Sequence, residues 1–422
     1  MGARRTGKGG WQQFLKKFES SDGAEKAQLA PWLLDLMRSK GDVPYEALDV
    51  IGETALELRR HDGLEATYSF LDKVEKACPE LAREEQMHFA LIRVENTLAV
   101  GESALAVASK AVESWEEDPV EFLKVLECMA WHGSPELKDV LLKIVEDHSL
   151  GEADSDEDLL LEDEADLSDE LDDEDDDLED EDLDEDDLDD EPDDGESDDD
   201  DEDLDDEEEV DDDEITLGDL FERIEAHIRE TARDWLQGAT IHLMAVEAQR
   251  VGRTKDVLAA MHPGTNASSK LAKLFDRMVG TPVKELKGTG YLSEDEDPIH
   301  VLCDFARYLR EHHNWPASRA FLGADAMIDA LDKCSNVYVC DSDEKQDKWL
   351  LDNEDAVGTL DELLEDDHPH RAAALAAALP VWLEFLQAVG VLTPRKAKQR
   401  ITNLKTALDS TDIGERILQR VA

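Results

Sequence analysis

Apolar residues recur at intervals of three and four through most of this 422-residue chain. This spacing places them on one face of an α-helix, because the helical period is 3.6 residues. Between residues 24 and 148 the pattern is interrupted by Gly, Pro and Asp, which end one helix and begin the next. The segment therefore divides into helices of roughly 12 to 18 residues, as in a stack of antiparallel helical hairpins.

Helical periodicity resumes at residue 215 and continues to the end of the sequence. Proline is tolerated in the first turn of a helix, and four prolines mark such starts: Pro298, Pro316, Pro369 and Pro394. Residues 336–340 are strand-like, but they are too few to build a sheet. The sequence predicts an all-α fold, in which an N-terminal solenoid-like array of helical hairpins and a C-terminal helical domain are separated by a disordered acidic tract.

The acidic tract, residues 152–214, differs from the rest of the chain in composition. It contains 46 Asp and Glu and no Lys or Arg. The chain has a formal net charge of −65, and outside the tract 62 acidic side chains stand against 43 basic ones. Dense like charge with low hydrophobicity cannot bury enough apolar surface to offset the entropy of ordering, so the tract is predicted to be disordered.

Periodicity and composition together divide the chain into four predicted segments. Residues 1–23 are a flexible basic N-terminus with a short helix, and residues 24–150 are a helical-repeat-like domain. Residues 151–214 are a disordered acidic linker, and residues 215–422 are an all-helical C-terminal domain. The sequence leaves open whether the two helical domains pack together and what oligomeric state the protein adopts.

Two segments of the N-terminal part share a pattern. Residues 63–77 begin with Gly and are followed by Pro79, and residues 101–113 begin with Gly and are followed by Pro119. Small residues lie where the second segment would pack: Ala104, Ala108 and Ala111. Residues 44–148 thereby resemble degenerate tetratricopeptide repeats, although the repeat length and the missing Trp and Tyr signature depart from that family. The resemblance implies a concave surface that binds peptides or proteins; a generic right-handed helical array would show the same spacing.

The concentrated negative charge affects which partners are expected. Nucleic acids and anionic membrane surfaces repel such a chain, so direct binding to either is not expected. No stretch approaches the roughly 20 apolar residues that span a bilayer, and the basic N-terminus lacks the apolar core of a signal peptide. Five cysteines without a CxxC pair fit a reducing compartment. These features predict a cytoplasmic protein.

Two groups of residues are candidates for contacts with partners. Leucines interspersed among acidic residues can enter an apolar groove of a basic protein; the candidates are Leu159, Leu160, Leu161, Leu167 and Leu171. The helix that starts at Pro394 is the most basic local element, and its candidate anion-contact residues are Arg395, Lys396, Lys398, Arg400 and Lys405. The ordinary alternatives are a linker with chance leucines and a solvated helix face.

The sequence contains no recognised catalytic motif. His368 and His370 follow two aspartates, and His312 adjoins His313, but neither an HExxH motif nor paired Cys and His spacing surrounds them. A phosphate-binding loop and a nucleophile elbow are also missing. We therefore predict no catalytic residue, no cofactor site and no metal site, and keep a metal-dependent helical enzyme around His368 and His370 as an alternative.

The sequence favours a non-enzymatic interaction protein or regulatory adaptor. In this interpretation the acidic tract engages a basic protein, for example one that itself binds nucleic acid, by long-range attraction. In an alternative interpretation the tract acts within the molecule, as an autoinhibitory cover over a cationic ligand-binding surface. A third possibility is that the tract is a solubilising spacer between unrelated modules.

Overall fold

The computed structural model describes residues 8–39, 43–44, 46–148, 217–252, 277–278, 292, 297–337 and 349–421. Within these ranges it contains seventeen α-helices, one short 3-10 helix and no strand, which confirms the all-α class. The α-helices are α1 (Lys8–Glu19), α2 (Gly23–Gln28), α3 (Ala30–Met37), α4 (Ala47–Asp62), α5 (Leu64–Ala77), α6 (Pro79–Glu84), α7 (Gln86–Ala99), α8 (Leu105–Ala111), α9 (Pro119–Trp131), α10 (Leu137–His148), α11 (Leu217–Arg250), α12 (Pro298–His313), α13 (Ala317–Val337), α14 (Asn353–Glu365), α15 (Pro369–Val389), α16 (Pro394–Ser410) and α17 (Ile413–Val421).

The first five helices enclose a core of aromatic and aliphatic side chains. Trp11, Phe14 and Phe18 of α1 are buried, and the rings of Phe14 and Phe18 stack with their centroids 5.8 Å apart. α4 packs against α2 and α5. Gly63 joins α4 to α5 with a φ of 87°, in the left-handed region where a side chain would be strained. The apolar spacing in the sequence therefore corresponds to real buried helix faces.

α15 is the central helix of the C-terminal part. It contacts α9, α12, α13, α14, α16 and α17. Pro369 occupies its first turn, and Trp382 is buried among Phe305 and Phe385. The indole Nε1 of Trp382 donates a hydrogen bond to the carbonyl oxygen of Trp349 at 3.0 Å, so its polar atom is satisfied inside the core.

The N-terminal and C-terminal parts share one core. Phe122 and Val125 of α9 belong to the same buried cluster as Trp235 of α11 and Phe321 of α13. The guanidinium of Arg319 lies 3.8 Å from the ring centroid of Trp131, across the same junction. Burying aromatic and aliphatic surface from both parts stabilises their association. The question that the sequence left open is thus answered: the two helical parts pack together.

The compact units of the structure differ from the four segments that the sequence predicts. One compact unit comprises Met1–Leu150 and Glu225–Ala422, and a second comprises Gly151–Ile224. In the second unit only residues 217–224, the start of α11, are among the described residues. The acidic tract and its candidate leucines lie outside the described residues, and the predicted disorder stays a prediction. The chain leaves a single helical unit before the tract and re-enters the same unit after it.

The expectation that no apolar stretch is long enough to span a bilayer is wrong for α15. α15 spans 21 residues with a mean hydropathy of 1.6 in its most apolar window, enough by length and composition to cross a bilayer. In this fold 67% of that window is buried inside the protein. Its packing against six other helices is that of a core helix.

The strand-like interpretation of residues 336–340 is also wrong in part. α13 continues through Val337, so the first two residues of the run are helical. The remaining three lie outside the described residues. Local β-propensity is weaker than the helical context that the preceding residues impose.

Candidate functional site

A cavity of about 880 Å³ lies between the N-terminal and C-terminal parts of the compact unit. Its walls come from α4 and α7, from the end of α9, from the start of α15 and from α17. Acidic, basic and histidine side chains line most of it, whereas a ligand pocket of ordinary composition is mainly apolar. The two parts must associate before this cavity exists.

Glu95 of α7 is the most perturbed carboxylate of the wall. Burial raises its pKa to about 7, although the positive charges of His88, Arg420 and Arg59 act in the opposite direction. About 30% of its side chain is accessible, and the residue lines the cavity. A carboxyl group that titrates near neutral pH inside a cavity can accept or donate a proton there.

Three potential metal ligands meet beside Glu95. Cys128 and His132 are one turn apart at the end of α9, and His370 lies in the first turn of α15. One ligand atom from each of the three lies within 4.8 Å of those of the other two. Cys128 and His370 are buried, and His132 is half-buried.

Burial shifts the pKa of each of these three side chains towards its neutral form. It lowers the pKa of His370 to about 3, with a further lowering from His132, and it lowers the pKa of His132. It also raises the pKa of the Cys128 thiol well above its usual value. The two imidazoles are therefore neutral at physiological pH, as metal coordination requires.

A charge network fixes the wall next to these residues. Nδ1 of His368 lies 2.9 Å from Oε2 of the buried Glu127, and Nη1 of Arg371 lies 3.7 Å from Oε1 of the same carboxylate. Nη1 of Arg371 also lies 2.6 Å from Oδ2 of Asp325. Burial opposes the charge of Arg371, but Asp325 and Glu127 outweigh it and raise the pKa of Arg371. The network holds α9, α13 and α15 in register.

A second set of charges closes the cavity towards α17. Nζ of the buried Lys124 lies 2.5 Å from Glu121 and 3.3 Å from Asp367, and Asp367 also pairs with Arg420. Burial opposes ionisation of Glu121, yet hydrogen bonds from His88 and Lys124 lower its pKa to about 2. These ion pairs connect the C-terminal helix to α9.

The predicted cationic face lies on α16, away from the residues that line the cavity. Arg395, Lys396, Lys398 and Lys405 are exposed, and Arg400 is half-buried. α16 buries Ala397 and Leu404 against the core. Among the described residues, no carboxylate lies within ion-pair distance of any of these five bases.

The structure separates residues that the sequence had grouped. His368 pairs with Glu127, whereas His370 faces His132 with ring centroids 6.1 Å apart. Elsewhere, His313 pairs with Glu384. Cys128 and Cys303 are buried free thiols, and Cys78 and Cys334 are half-buried free thiols. The spacing of Cys128 and His132 by four residues was visible in the sequence and could have identified two of the three potential ligands.

Comparisons with known proteins add no relative. No protein-family model matches the chain, and neither curated proteins nor solved structures include a significant match. The site is therefore interpreted from its own geometry, and the resemblance of residues 44–148 to tetratricopeptide repeats stays a prediction. In that segment Ala104, Ala108 and Ala111 are buried, as small packing residues would be in any helical array.

Proposed function

We propose that this protein is a non-enzymatic, cytoplasmic interaction protein whose acidic tract engages a basic partner. The proposal rests on one observation. A segment with 46 acidic side chains and no base is inserted between two parts of the chain that belong to the same helical unit. A spacer between unrelated modules would join two separate bodies. Here the flanking helices share a core, which favours a role for the tract itself.

Electrostatic attraction would act first in this mechanism. A concentrated negative segment attracts a cationic surface over roughly a Debye length, about 8 Å at physiological salt, and raises the encounter rate. Leu159, Leu160, Leu161, Leu167 and Leu171 would then supply short-range apolar contacts. The helical unit would add contacts of defined shape, since a charged tract alone gives rate and not specificity.

Affinity capture tests this proposal with three matched chains. The first is the native protein, the second has Asn and Gln in place of the Asp and Glu of residues 152–214, and the third has Ser in place of the five leucines. We expect basic proteins to be captured by the native chain at low salt, lost with the neutral tract, and weakened with the serine variant. Recovery of the same proteins by the native and neutral chains would move the function to the helical unit.

The basic face of α16 supports a second candidate, in which the tract covers this face within the molecule. Its five bases have no carboxylate at ion-pair distance among the described residues, in a protein that is otherwise rich in acid. The tract is covalently attached to the same compact unit, so its acids are present at high local concentration. The ligand that binds this face when it is uncovered would be an anion.

Binding of polyphosphate separates the two candidates. An intramolecular cover predicts that the neutral-tract chain binds polyphosphate at low salt while the native chain does not. It also predicts that the neutral-tract chain no longer binds polyphosphate when it carries both Lys396→Glu and Lys398→Glu. If the neutral-tract chain ignores polyphosphate, the cover does not exist, and the interaction with a basic partner stands or fails on the capture experiment alone.

A further inference from the structure

The group formed by Cys128, His132 and His370 has the composition of a transition-metal site. Two imidazoles and a thiol are nitrogen and sulfur ligands of the kind that zinc prefers, and hard cations such as Mg²⁺ and Ca²⁺ take oxygen ligands instead. Cys128 and His132 are separated by four residues, so both project from the same face of α9. His370 lies in the first turn of α15, in the C-terminal part of the compact unit.

His370 is buried at the wall of the cavity. The residue is 2% exposed, and its ring nitrogens are not among the described polar atoms that are fully buried without a partner. Its nearest carboxylate oxygen, Oε1 of Glu95, is 3.9 Å from Nδ1, beyond hydrogen-bond distance. The imidazole therefore lies at the cavity surface beside Glu95, where it is available to coordinate an ion.

We propose that Cys128, His132 and His370 bind one Zn²⁺ ion at the inner end of the cavity. Ligand atoms of a tetrahedral zinc site are separated by about 3.4 to 3.6 Å, as its bond lengths of about 2.0 to 2.3 Å require. The three atoms here lie within 4.8 Å of one another, so side-chain rotations that bring them roughly 1 Å closer complete the set.

The cavity determines how the remaining coordination position is used. His132, His370 and Glu95 line the cavity, so an ion held by the three ligands has one side open to it. That opening provides an entry path for the metal, and three protein ligands with an open position is the arrangement of zinc sites that bind an exchangeable ligand. Glu95 also lines the cavity beside His370, where it can accept a hydrogen bond from a ligand in the open position.

The site also connects metal binding to the association of the two helical parts. α9 supplies two ligands, and α15, more than 200 residues later in the chain, supplies the third. Binding therefore stabilises the junction described above, by an amount that grows with free zinc concentration. This inference does not depend on the acidic tract and is independent of the proposed function.

Stoichiometric metal binding is the primary test. Purified full-length protein with the neutral tract, which removes diffuse binding by carboxylates, is titrated with Zn²⁺ against a chromogenic chelator. We expect one ion per chain, and a loss of affinity of at least about 10- to 100-fold in Cys128→Ser and in His370→Gln. Cys303→Ser, a matched change of an equally buried thiol, is expected to leave the affinity unchanged.

Cobalt provides a second readout that does not depend on comparing affinities. Co²⁺ bound to a thiolate gives a charge-transfer absorption band, which we expect in the neutral-tract chain and in Cys303→Ser but not in Cys128→Ser. Circular dichroism shows whether each variant retains its helices. The absence of both a tight stoichiometric ion and the cobalt–thiolate band in the folded parent chain would overturn the proposal without affecting the proposed function, and so would a band that survives Cys128→Ser.

Discussion

Nδ1 of His368 lies 2.9 Å from Oε2 of Glu127, although the two residues are 241 positions apart in the chain. The carboxylate is 1% exposed and belongs to α9, whereas His368 precedes the first turn of α15. The acidic tract lies between them in sequence. This contact therefore reports directly on the association of the N-terminal and C-terminal parts.

Replacing Glu127 is expected to destabilise the protein. Glu127→Ala leaves Arg371 and His368 near the junction without one of their buried acceptors, and removing one partner of a buried charge pair costs about 3 to 5 kcal/mol. The free energy of unfolding in urea measures the loss. Glu117→Ala, on an exposed residue of the same segment, is the control and is expected to change stability by less than about 0.5 kcal/mol. Equal losses in both variants would mean that the network contributes nothing to the junction.

Replacing Gly133 is expected to lower the stability of the protein, because of its positive φ and because Pro316 lies close to it. Its φ is 67°, and a Cβ atom built there would lie 2.7 Å from Cγ of Pro316, which belongs to the C-terminal part. Gly133→Ala is expected to lower stability by about 1 to 3 kcal/mol more than Gly101→Ala. Gly101 has a similar φ of 76° but no atom within 4 Å, so the comparison isolates the contact with Pro316. Similar losses in thermal unfolding would show that only backbone strain matters.

His242 is expected to make the protein sensitive to acid. Burial, together with the charge of Arg310, lowers its pKa from 6.5 to about 3. In the unfolded chain the imidazole takes up a proton below its ordinary pKa, but in the folded protein it stays neutral until about pH 3. The stability present above pH 6.5 is therefore lost as the pH falls from 6.5 towards 3, by up to about 1.4 kcal/mol per pH unit.

His242→Met removes this one titration while filling a similar volume. Its free energy of unfolding should fall less steeply than that of the native protein between pH 6.5 and pH 4, and the two slopes should agree between pH 7 and pH 8. The buried His370 titrates in the same direction in both chains, so the difference belongs to His242 alone. Parallel curves throughout would contradict the lowered pKa.

Cutting the acidic tract is expected to leave a two-fragment complex. A protease site introduced between residues 190 and 200 would separate α1–α10 from α11–α17, yet the fragments share the cluster around Phe122 and Phe321. We expect them to elute together in gel filtration after cleavage. Phe321→Glu places a charge in this shared core and should separate them. Fragments that separate without that change would show that the shared core is too weak to hold them.

Local sequence patterns predicted most helix positions because each helix has its own start and stop signals. The start predicted at Pro369 is the start of α15, and Gly390 follows the end of this helix with a φ of 92°. Gly238 lies within α11 and does not interrupt it. A Cβ at Gly238 would lie 3.2 Å from Phe321, so this glycine permits close helix packing instead of ending the helix.

The candidate site could not be predicted as a whole. Cys128 and His132 are local neighbours, but Glu95 and His370 join them only because α7 and α15 pack beside α9. Contacts of such sequence separation depend on the shared core, and a charge count or a helical period carries no information about them. The sequence did predict the basic face of α16, because Ala397 and Leu404 determine which side of that helix is buried.

The return of the chain to one helical unit makes the acidic tract an insertion within a fold. For the flexible chain that its composition predicts, doubling the length of such a loop costs only about 0.6 kcal/mol of closure entropy. Residues can therefore be gained or lost in the tract with little effect on whether the helices assemble. Selection could adjust the number of carboxylates, and with it the reach and strength of attraction, while the residues of α9 and α15 remain under strict packing constraints.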